Sequence, residues 1–312
     1  MLAARLHEYG DPAGLVVEEV AEPLLAEDHL LVRVAAASIN PVDWKIVDGI
    51  LRERIPLELP LVPGGDVSGI VERVGGAVTG FAVGDAVHAM TGTIAGYAHG
   101  GFAQQAAIRA SSAARKPRTL DHAGAAAASL AALTAWQALH DRGEIQPGER
   151  VLIHAAAGGV GGFAVQFARE AGAYVIGTAS ASNLDYVRQL GAMEAIDYAA
   201  GPFEDQLRDV DLVIDLIGGD VQLRSFKSLR RGGRLVNAWG ALAVEAAETA
   251  GVRAIKVAVA PNGADLRRIG ALIDAGRVRV DVAHRLPLGA VHQALALSRL
   301  GHGRGKIALE IE

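Results

Sequence analysis

The sequence predicts an α/β protein of two domains, one β-rich and one built on a doubly wound parallel sheet. Three observations predict it. From Arg150 onward, strand-like and helix-like segments alternate with short loops, the rhythm that builds a parallel sheet with crossover helices. The earlier part of the chain instead carries short β runs punctuated by Gly69, Gly75, Gly76, Gly80 and Gly84. Such closely spaced turn signals suggest a barrel or sandwich-like unit. Between the two styles, Arg150–Arg169 joins an aliphatic strand to a glycine-crowded turn and then to a helix with one apolar face. The 312 residues accommodate two domains at roughly 100–200 residues each.

Each element has its own reason. Leu30–Ala35, Val67–Val74, the runs within Val78–Met90, and Phe102–Ile108 read as strands of the first unit. At Asp121 the character changes: Asp121–Leu139 is alanine-rich and helical, with Asp121 as N-cap. Pro147 and Gly148 mark a turn, and Val151–Ile153 is a buried strand. Val160, Ala164, Phe167, Ala168 and Ala171 then fall at helical spacing. Tyr174–Gly177 is a strand, Asn183–Leu190 a helix closed by Gly191, and Ala195–Tyr198 a short strand. Leu212–Ile217 is a strand, followed by a helix to about Arg231; Leu235–Ala238 and Ala254–Ala260 are further strands. Ala264–Ala275 is a helix closed by Gly276. The tail breaks the rhythm with a β run at Val278–Val282, a helix at Gly289–Leu300 and a strand at Lys306–Ile311. The tail is expected to rejoin the first domain. The expected domains are therefore 1–120 completed by 278–312, and 121–277.

Composition narrows the function classes. The chain is 51% hydrophobic and 21% charged, as a folded globular protein is. A net charge of −5 gives no basic field for nucleic acid or an anionic membrane. There is no cysteine, hence no disulfide, thiolate nucleophile or thiolate metal ligand. The first residues lack the basic-then-apolar pattern of a signal peptide, and the apolar stretch Ala123–Ala135 is too short to span a membrane. A soluble, cytoplasmic protein without nucleic-acid or membrane partners is expected.

The glycine turn carries the chemistry. Gly158, Gly159, Val160 and Gly161 follow a strand and open a helix, so backbone N–H groups at a helix N-terminus can face a dinucleotide pyrophosphate. Ala156 stands where the G-x-G-x-x-G fingerprint has its first glycine, and an ordinary tight βα turn is the competing reading.

The surrounding motifs weigh against that alternative. They are Ala37-Ser-Ile-Asn-Pro-Val-Asp-Trp-Lys45, Pro63-Gly-Gly-Asp-Val-Ser-Gly-Ile-Val71, Gly75–Val87, Gly100-Gly-Phe-Ala-Gln104, Ala132-Leu-Thr-Ala-Trp136, Asp197-Tyr198 and Gly301-His-Gly-Arg-Gly-Lys306. In order and spacing they resemble the medium-chain dehydrogenase/reductase superfamily, in its zinc-independent quinone oxidoreductase-like branch, over essentially the whole chain. The resemblance implies a GroES-like substrate domain made of both chain ends and a Rossmann domain between them, with a nicotinamide cofactor in the cleft. It also implies a homodimer, for which Ala254–Ala260 is the candidate edge strand. In this branch A-x-x-G-G-V-G often replaces the fuller fingerprint.

Alignment with zinc-dependent members places their first cysteine ligand on Asn40 and their Gly-His-Glu motif on Gly64-Gly65-Asp66. No metal is expected. An already electrophilic acceptor, a quinone or an α,β-unsaturated carbonyl, is then an easier substrate than an alcohol. Ile176–Asn183, which ends the second strand of the domain, has no acid to contact a ribose 2′-hydroxyl. That favours NADPH, with Thr178, Ser180 and Asn183 as contacts, although Ser182 stands where related enzymes often carry Lys or Arg.

By the same resemblance Tyr198 flanks the adenosine phosphate, while Thr134, Ile217, Asn237 and Arg304 lie where relatives touch nicotinamide or phosphate. Asn40 is expected to donate to a substrate oxygen, or to cap its turn. Lys45 is expected to reach the cofactor or a developing enolate, with Asp43 orienting the loop. Tyr97 is a candidate cleft residue or proton donor. Trp44 is a candidate pocket wall, and Trp136 a core residue. The expected activity is NADPH-dependent reduction of a quinone or enone. The alternatives are an enoyl-thioester reductase and an NADPH-binding redox-sensing or structural protein without turnover.

Overall fold

A computed structural model describes residues 1–10, 12–54, 56–92, 100–301 and 303–311. In chain order, the first stretch comprises β1 (Leu2–Leu6), β2 (Leu15–Glu19), β3 (His29–Ile39), α1 (Pro41–Val47), β4 (Asp66–Val74), β5 (Ala86–Met90), β6 (Gln105–Arg109), β7 (Ala113–Arg115), α2 (His122–Ala127) and α3 (Leu130–Trp136). The alternating stretch comprises β8 (Arg150–Ile153), α4 (Gly159–Glu170), β9 (Tyr174–Ala179), α5 (Leu184–Leu190), β10 (Glu194–Asp197), α6 (Phe203–Gln206), β11 (Val210–Asp215), α7 (Asp220–Ser225), β12 (Leu229–Asn237), α8 (Val244–Ala250) and β13 (Arg253–Lys256). The tail adds α9 (Gly263–Asp274), β14 (Val282–Pro287), α10 (Val291–Leu300) and β15 (Lys306–Glu310).

Two compact units result: residues 1–133 with 260–312, and residues 134–259. The first is the GroES-like, β-rich unit. Its strands run in the order β14-β15-β3-β4-β5-β7, with β6 also paired to β3 and a separate β1–β2 hairpin. The tail strand β15 runs antiparallel to β3, with Ile307 opposite Ile39 and Leu309 opposite Ala37. β4 lies on the other side of β3, with Val67 opposite Ala37. Both chain ends thus share one sheet, and the core includes Leu30, Leu31, Val32, Val67, Met90, Phe102 and Ile108, all fully buried.

The second unit is the parallel-sheet Rossmann-like domain, with strand order β10-β9-β8-β11-β12-β13. All its neighbouring strands pair parallel. The order reverses between β8 and β11, the topological switch point outside which such sheets bind ligands at their carboxyl ends. Leu152, Ile176, Phe203, Val213, Phe226 and Leu235 build one of its core clusters.

The unit boundaries fall inside the stretch assigned to the second domain by sequence, which began at residue 121 and ended at 277. The reason is packing. In α2, Ala123 and Ala126 pack against Ala36 of β3 and Ala308 of β15, small side chains that let the helix lie close to the first sheet. In α9, a Cβ on Gly263 would lie 2.2 Å from the Ala113 carbonyl oxygen, so that helix is seated on β7.

The helix expected over Asp121–Leu139 is interrupted. It breaks at Ala128–Ser129, and the Leu130 N–H donates to Asp66 Oδ1 at 2.6 Å. A π-helical turn over Gln137–Arg142 ends the run. The Val278–Val282 run becomes β14 over Val282–Pro287, and the helix after β11 ends at Ser225 rather than near Arg231. Among the described residues no helix is long and apolar enough to cross a membrane.

Candidate functional site

In the second unit the site is organised by the β8–α4 turn. Ala155 has φ 50°, a positive value that reverses the chain after His154. Gly158 is the N-cap of α4 with extended backbone (φ −74°, ψ 175°) and offers no side chain to the helix end. Gly161 is fixed by contact: a Cβ there would lie 2.1 Å from the Ala155 carbonyl oxygen. The first turn of α4 therefore sits directly on the strand end, with its N–H groups at the carboxyl edge. This cradle fits a dinucleotide pyrophosphate, because the donors are backbone and the missing side chains leave room for the anion.

Other residues reach the same edge by strand register. Asp197 of β10 is paired with Ala179 of β9, so Ser180 and Tyr198 each stand one residue past the ends of adjacent strands. Tyr198 is exposed. Ser180 Oγ accepts from Asn183 Nδ2 at 3.0 Å and lies 3.3 Å from Ser182 Oγ. These three polar side chains form a neutral cluster at the start of α5. Ile217, exposed, follows β11, and its N–H donates to Asp215 Oδ1 at 3.0 Å. Thr134, in α3, is buried.

Two side chains expected to contact the cofactor, Asn237 and Thr178, are bonded inside the unit. Asn237 is fully buried: its Nδ2 donates to Asp215 Oδ2 at 2.8 Å, and its Oδ1 accepts from Lys256 Nζ at 2.6 Å. Asn237 thereby ties the ends of β11, β12 and β13 together. Thr178 is buried against His154, with Oγ1 3.0 Å from Nδ1. The Ser225 hydroxyl donates to the Val221 carbonyl at 2.6 Å, so Ser225 Oγ accepts from His154 Nε2 at 2.9 Å. That fixes a neutral imidazole whose Nδ1 accepts from Thr178. Burial pushes the His154 pKa down to about 4, in keeping with this tautomer. Trp136, half-buried, packs edge-on to Phe167 at 5.3 Å.

In the first unit, Asn40, Asp43, Asp66 and Lys306 form one buried network. Asn40, expected to donate to a substrate oxygen or to cap its turn, has its side chain bonded inside this network. Its Nδ2 donates to Asp66 Oδ2 at 2.8 Å and to the Ser38 carbonyl at 3.4 Å, and its Oδ1 accepts from Lys306 Nζ at 2.5 Å. At the turn itself it is the Asn40 backbone that is held. The Asn40 N–H donates to Asp43 Oδ2 at 2.6 Å, and Pro41 opens α1. Burial, with the like charge of Asp66 nearby, pushes the Asp43 carboxyl up to about 7. Asp66 also accepts from Ser38 Oγ at 2.7 Å.

Asp66 and Lys306 were not singled out as site residues by sequence reasoning. Both stood in quoted motifs, Gly64-Gly65-Asp66 and Gly301–Lys306, and each is a charged residue opening a strand. Lys45, half-buried on α1, has its Nζ 5.2 Å from the Trp44 ring centroid, and Arg299 lies 5.7 Å from the same ring. Desolvation lowers the Lys45 pKa to about 8. Arg304 is exposed just before β15. Tyr97 lies outside the described residues. Among the described residues, no three His, Asp or Glu side chains gather as a metal-holding group.

Residues 26–118 match the alcohol dehydrogenase GroES-like domain family, and residues 190–309 the zinc-binding dehydrogenase family. A chloroplast envelope quinone oxidoreductase homolog of Arabidopsis thaliana is 32% identical, covering 99% of this chain and 98% of the relative. An NADPH-dependent alkenal/one oxidoreductase, chloroplastic, also of Arabidopsis thaliana, is 34% identical over 97% of this chain and 77% of that protein. The solved quinone oxidoreductase from Coxiella burnetii superposes with a TM-score of 0.94 at 32% identity, covering 100% of this chain and 99% of that one. The chain belongs to the medium-chain dehydrogenase/reductase superfamily, in its quinone oxidoreductase-like branch.

Proposed function

We propose that this protein is an NADPH-dependent oxidoreductase that reduces a quinone or an α,β-unsaturated carbonyl compound without zinc. The observation that carries the reading is the carboxyl edge of the second unit. There the β8–α4 glycine cradle stands beside a neutral Ser180–Ser182–Asn183 cluster and the exposed Tyr198. An NAD-preferring site would place a carboxylate at the end of β9; this chain has hydroxyl and amide groups there, which leave room for a 2′-phosphate. The name of the NADPH-dependent alkenal/one relative supports the same cofactor and acceptor class.

When bound, the reduced nicotinamide supplies a hydride to an electrophilic carbon. The chain's own residues do the rest. The Gly158–Gly161 turn holds the pyrophosphate. Ser180, Asn183 and Tyr198 face the adenosine phosphate. Lys45 presents an ammonium that is still largely charged at neutral pH, because its pKa lies near 8, and it stabilises negative charge developing on oxygen. The final proton comes from water. The absence of histidine and cysteine at the aligned ligand positions, held by Gly65 and Asn40, supports a zinc-independent reaction.

β13 is an edge strand of the second sheet, and pairing of two such edges would give a homodimer, which sedimentation or light scattering can check. The cytoplasm is the proposed compartment. The deciding assay compares NADPH with NADH as the hydride donor, using a simple quinone and methyl vinyl ketone as acceptors. Turnover with NADPH preferred supports the reading. Tight NADPH binding without turnover on either acceptor class would favour a binding protein instead.

A further inference from the structure

We propose that Lys306, acting through Asn40 and Asp66, is a positioning residue that fixes the start of α1 and so places Lys45 for the reduction. This rests on the reductase reading above.

The register of three adjacent strands brings the groups together. β15 and β4 flank β3. Ile307 lies opposite Ile39 and Val67 opposite Ala37. Lys306 therefore enters beside Asn40, at the point where β3 gives way to α1, and Asp66 enters beside Ser38. The Lys306 ammonium is buried, donating to the Ile39 carbonyl at 2.8 Å and to Asn40 Oδ1 at 2.5 Å, and lies 3.8 Å from Asp66 Oδ2. Asp66 is saturated by Ser38 Oγ, Asn40 Nδ2 and the Leu130 N–H. The Asn40 N–H is held by Asp43. Every polar group of Asn40 except its carbonyl is thus named in a bond to this frame, and its carbonyl accepts from the Asp43 N–H at 2.9 Å. Lys45 follows one turn after Pro41 in the same helix.

Stability alone is a weak reason to bury such a pair. Well-packed apolar substitutes for a buried ion pair are often neutral or better, whereas removing one partner is costly. What this arrangement supplies is direction. An ammonium with fixed acceptors and an amide with both ends engaged admit one orientation of the Ile39–Asn40–Pro41 turn, which an apolar plug would not impose. The charges also constrain one another: burial pushes Asp66 up and Lys306 down, and each charge opposes the other's displacement.

The test uses the full chain and four variants: Lys306→Arg, Lys306→Met, Asp66→Asn, and Lys306→Met with Asp66→Asn. The double variant removes both charges and leaves no unpaired ammonium. Circular dichroism establishes folding. Two readouts follow. One is kcat and KM with methyl vinyl ketone and NADPH. The other needs no cofactor: the pH midpoint of Lys45 acetylation by acetic anhydride, read by mass spectrometry. In the folded double variant, kcat falls about tenfold to a hundredfold with little change in acceptor KM, as expected for a misplaced group. The Lys45 midpoint rises from about 8 toward the ordinary lysine value, and Lys306→Arg restores part of both. A parental midpoint in the folded double variant overturns the proposal, and so does a shifted midpoint with parental kcat. Should the double variant not fold, Asp66→Asn is read by the same criteria. A parent without turnover would remove the reductase reading, while the Lys45 midpoint would still decide the positioning.

Discussion

Replacing Gly161 with alanine is the sharpest perturbation of the nucleotide cradle. The added Cβ would lie 2.1 Å from the Ala155 carbonyl oxygen and 2.8 Å from both the Ala155 carbonyl carbon and the Ala156 Cα. All three neighbours are backbone, so no side chain can rotate away. Relief to even a tight contact near 3 Å requires the first turn of α4 to move off β8 by roughly 1 Å, and over-packing of this kind costs about 1–3 kcal/mol. The same displacement draws the N–H groups of the turn away from the pyrophosphate, and misplacement by 1 Å is worth on the order of a hundredfold where geometry matters. Gly158→Ala is the control: its Cβ would meet only the Ala155 carbonyl oxygen, at 3.3 Å, and its φ of −74° suits any residue. The assays are urea unfolding and NADPH titration by fluorescence. Gly161→Ala should lose both stability and NADPH affinity, while Gly158→Ala keeps its unfolding midpoint. A Gly161→Ala protein with parental values in both assays would refute the argument that close approach of helix and strand shapes the cradle.

Three further expectations follow from the same geometry. Lys45→Ala should lower kcat or weaken NADPH binding; unchanged steady-state constants would take Lys45 out of the reaction. Ser182→Arg adds a cation beside Ser180 and Asn183, and one charge-assisted hydrogen bond is worth roughly 1.5–3 kcal/mol, so the NADPH-over-NADH ratio of kcat/KM should rise about tenfold or more. No rise would mean that the 2′-phosphate binds elsewhere. Buried His154, with its pKa lowered to about 4 against an ordinary value near 6.5, takes up its proton more readily in the unfolded chain. Its neutral form therefore stabilises the fold fully above pH ~6.5, and that contribution is lost as pH falls toward about 4, at most a few kcal/mol. His154→Gln should flatten the pH dependence of the urea midpoint in that window, and an unaltered slope would contradict it.

How far the sequence was legible depended on the range of the interactions. The strand, glycine turn and helix at Arg150–Arg169 are contiguous, and the structure places them as read, from β8 through α4. The placement of Ser180 and Tyr198 was legible because each follows the end of its own strand, and the parallel register of β9 and β10 brings them to one edge. The internal partners of Asn237 and Thr178 were not legible, for a shared reason. Both lie at carboxyl ends of strands, and their partners, Asp215 of β11, Lys256 of β13 and His154 just after β8, come from elsewhere in the sheet.

Asn40 shows the limit most clearly. Its local context, an asparagine before proline, pointed to turn capping, and its aligned position pointed to chemistry. What decides its role is Lys306, 266 residues away along the chain, brought alongside by the antiparallel register of β15 on β3. A lysine closing the Gly301–Lys306 motif and opening a mostly apolar strand was the trace of that partnership in the sequence. Burial converts that trace into a constraint: an ammonium without water must be surrounded by acceptors, and those available here are the Ile39 carbonyl, Asn40 and Asp66. The residue that stands in place of a metal ligand is thereby tied by its side chain to β15 and β4 at the point where α1 begins.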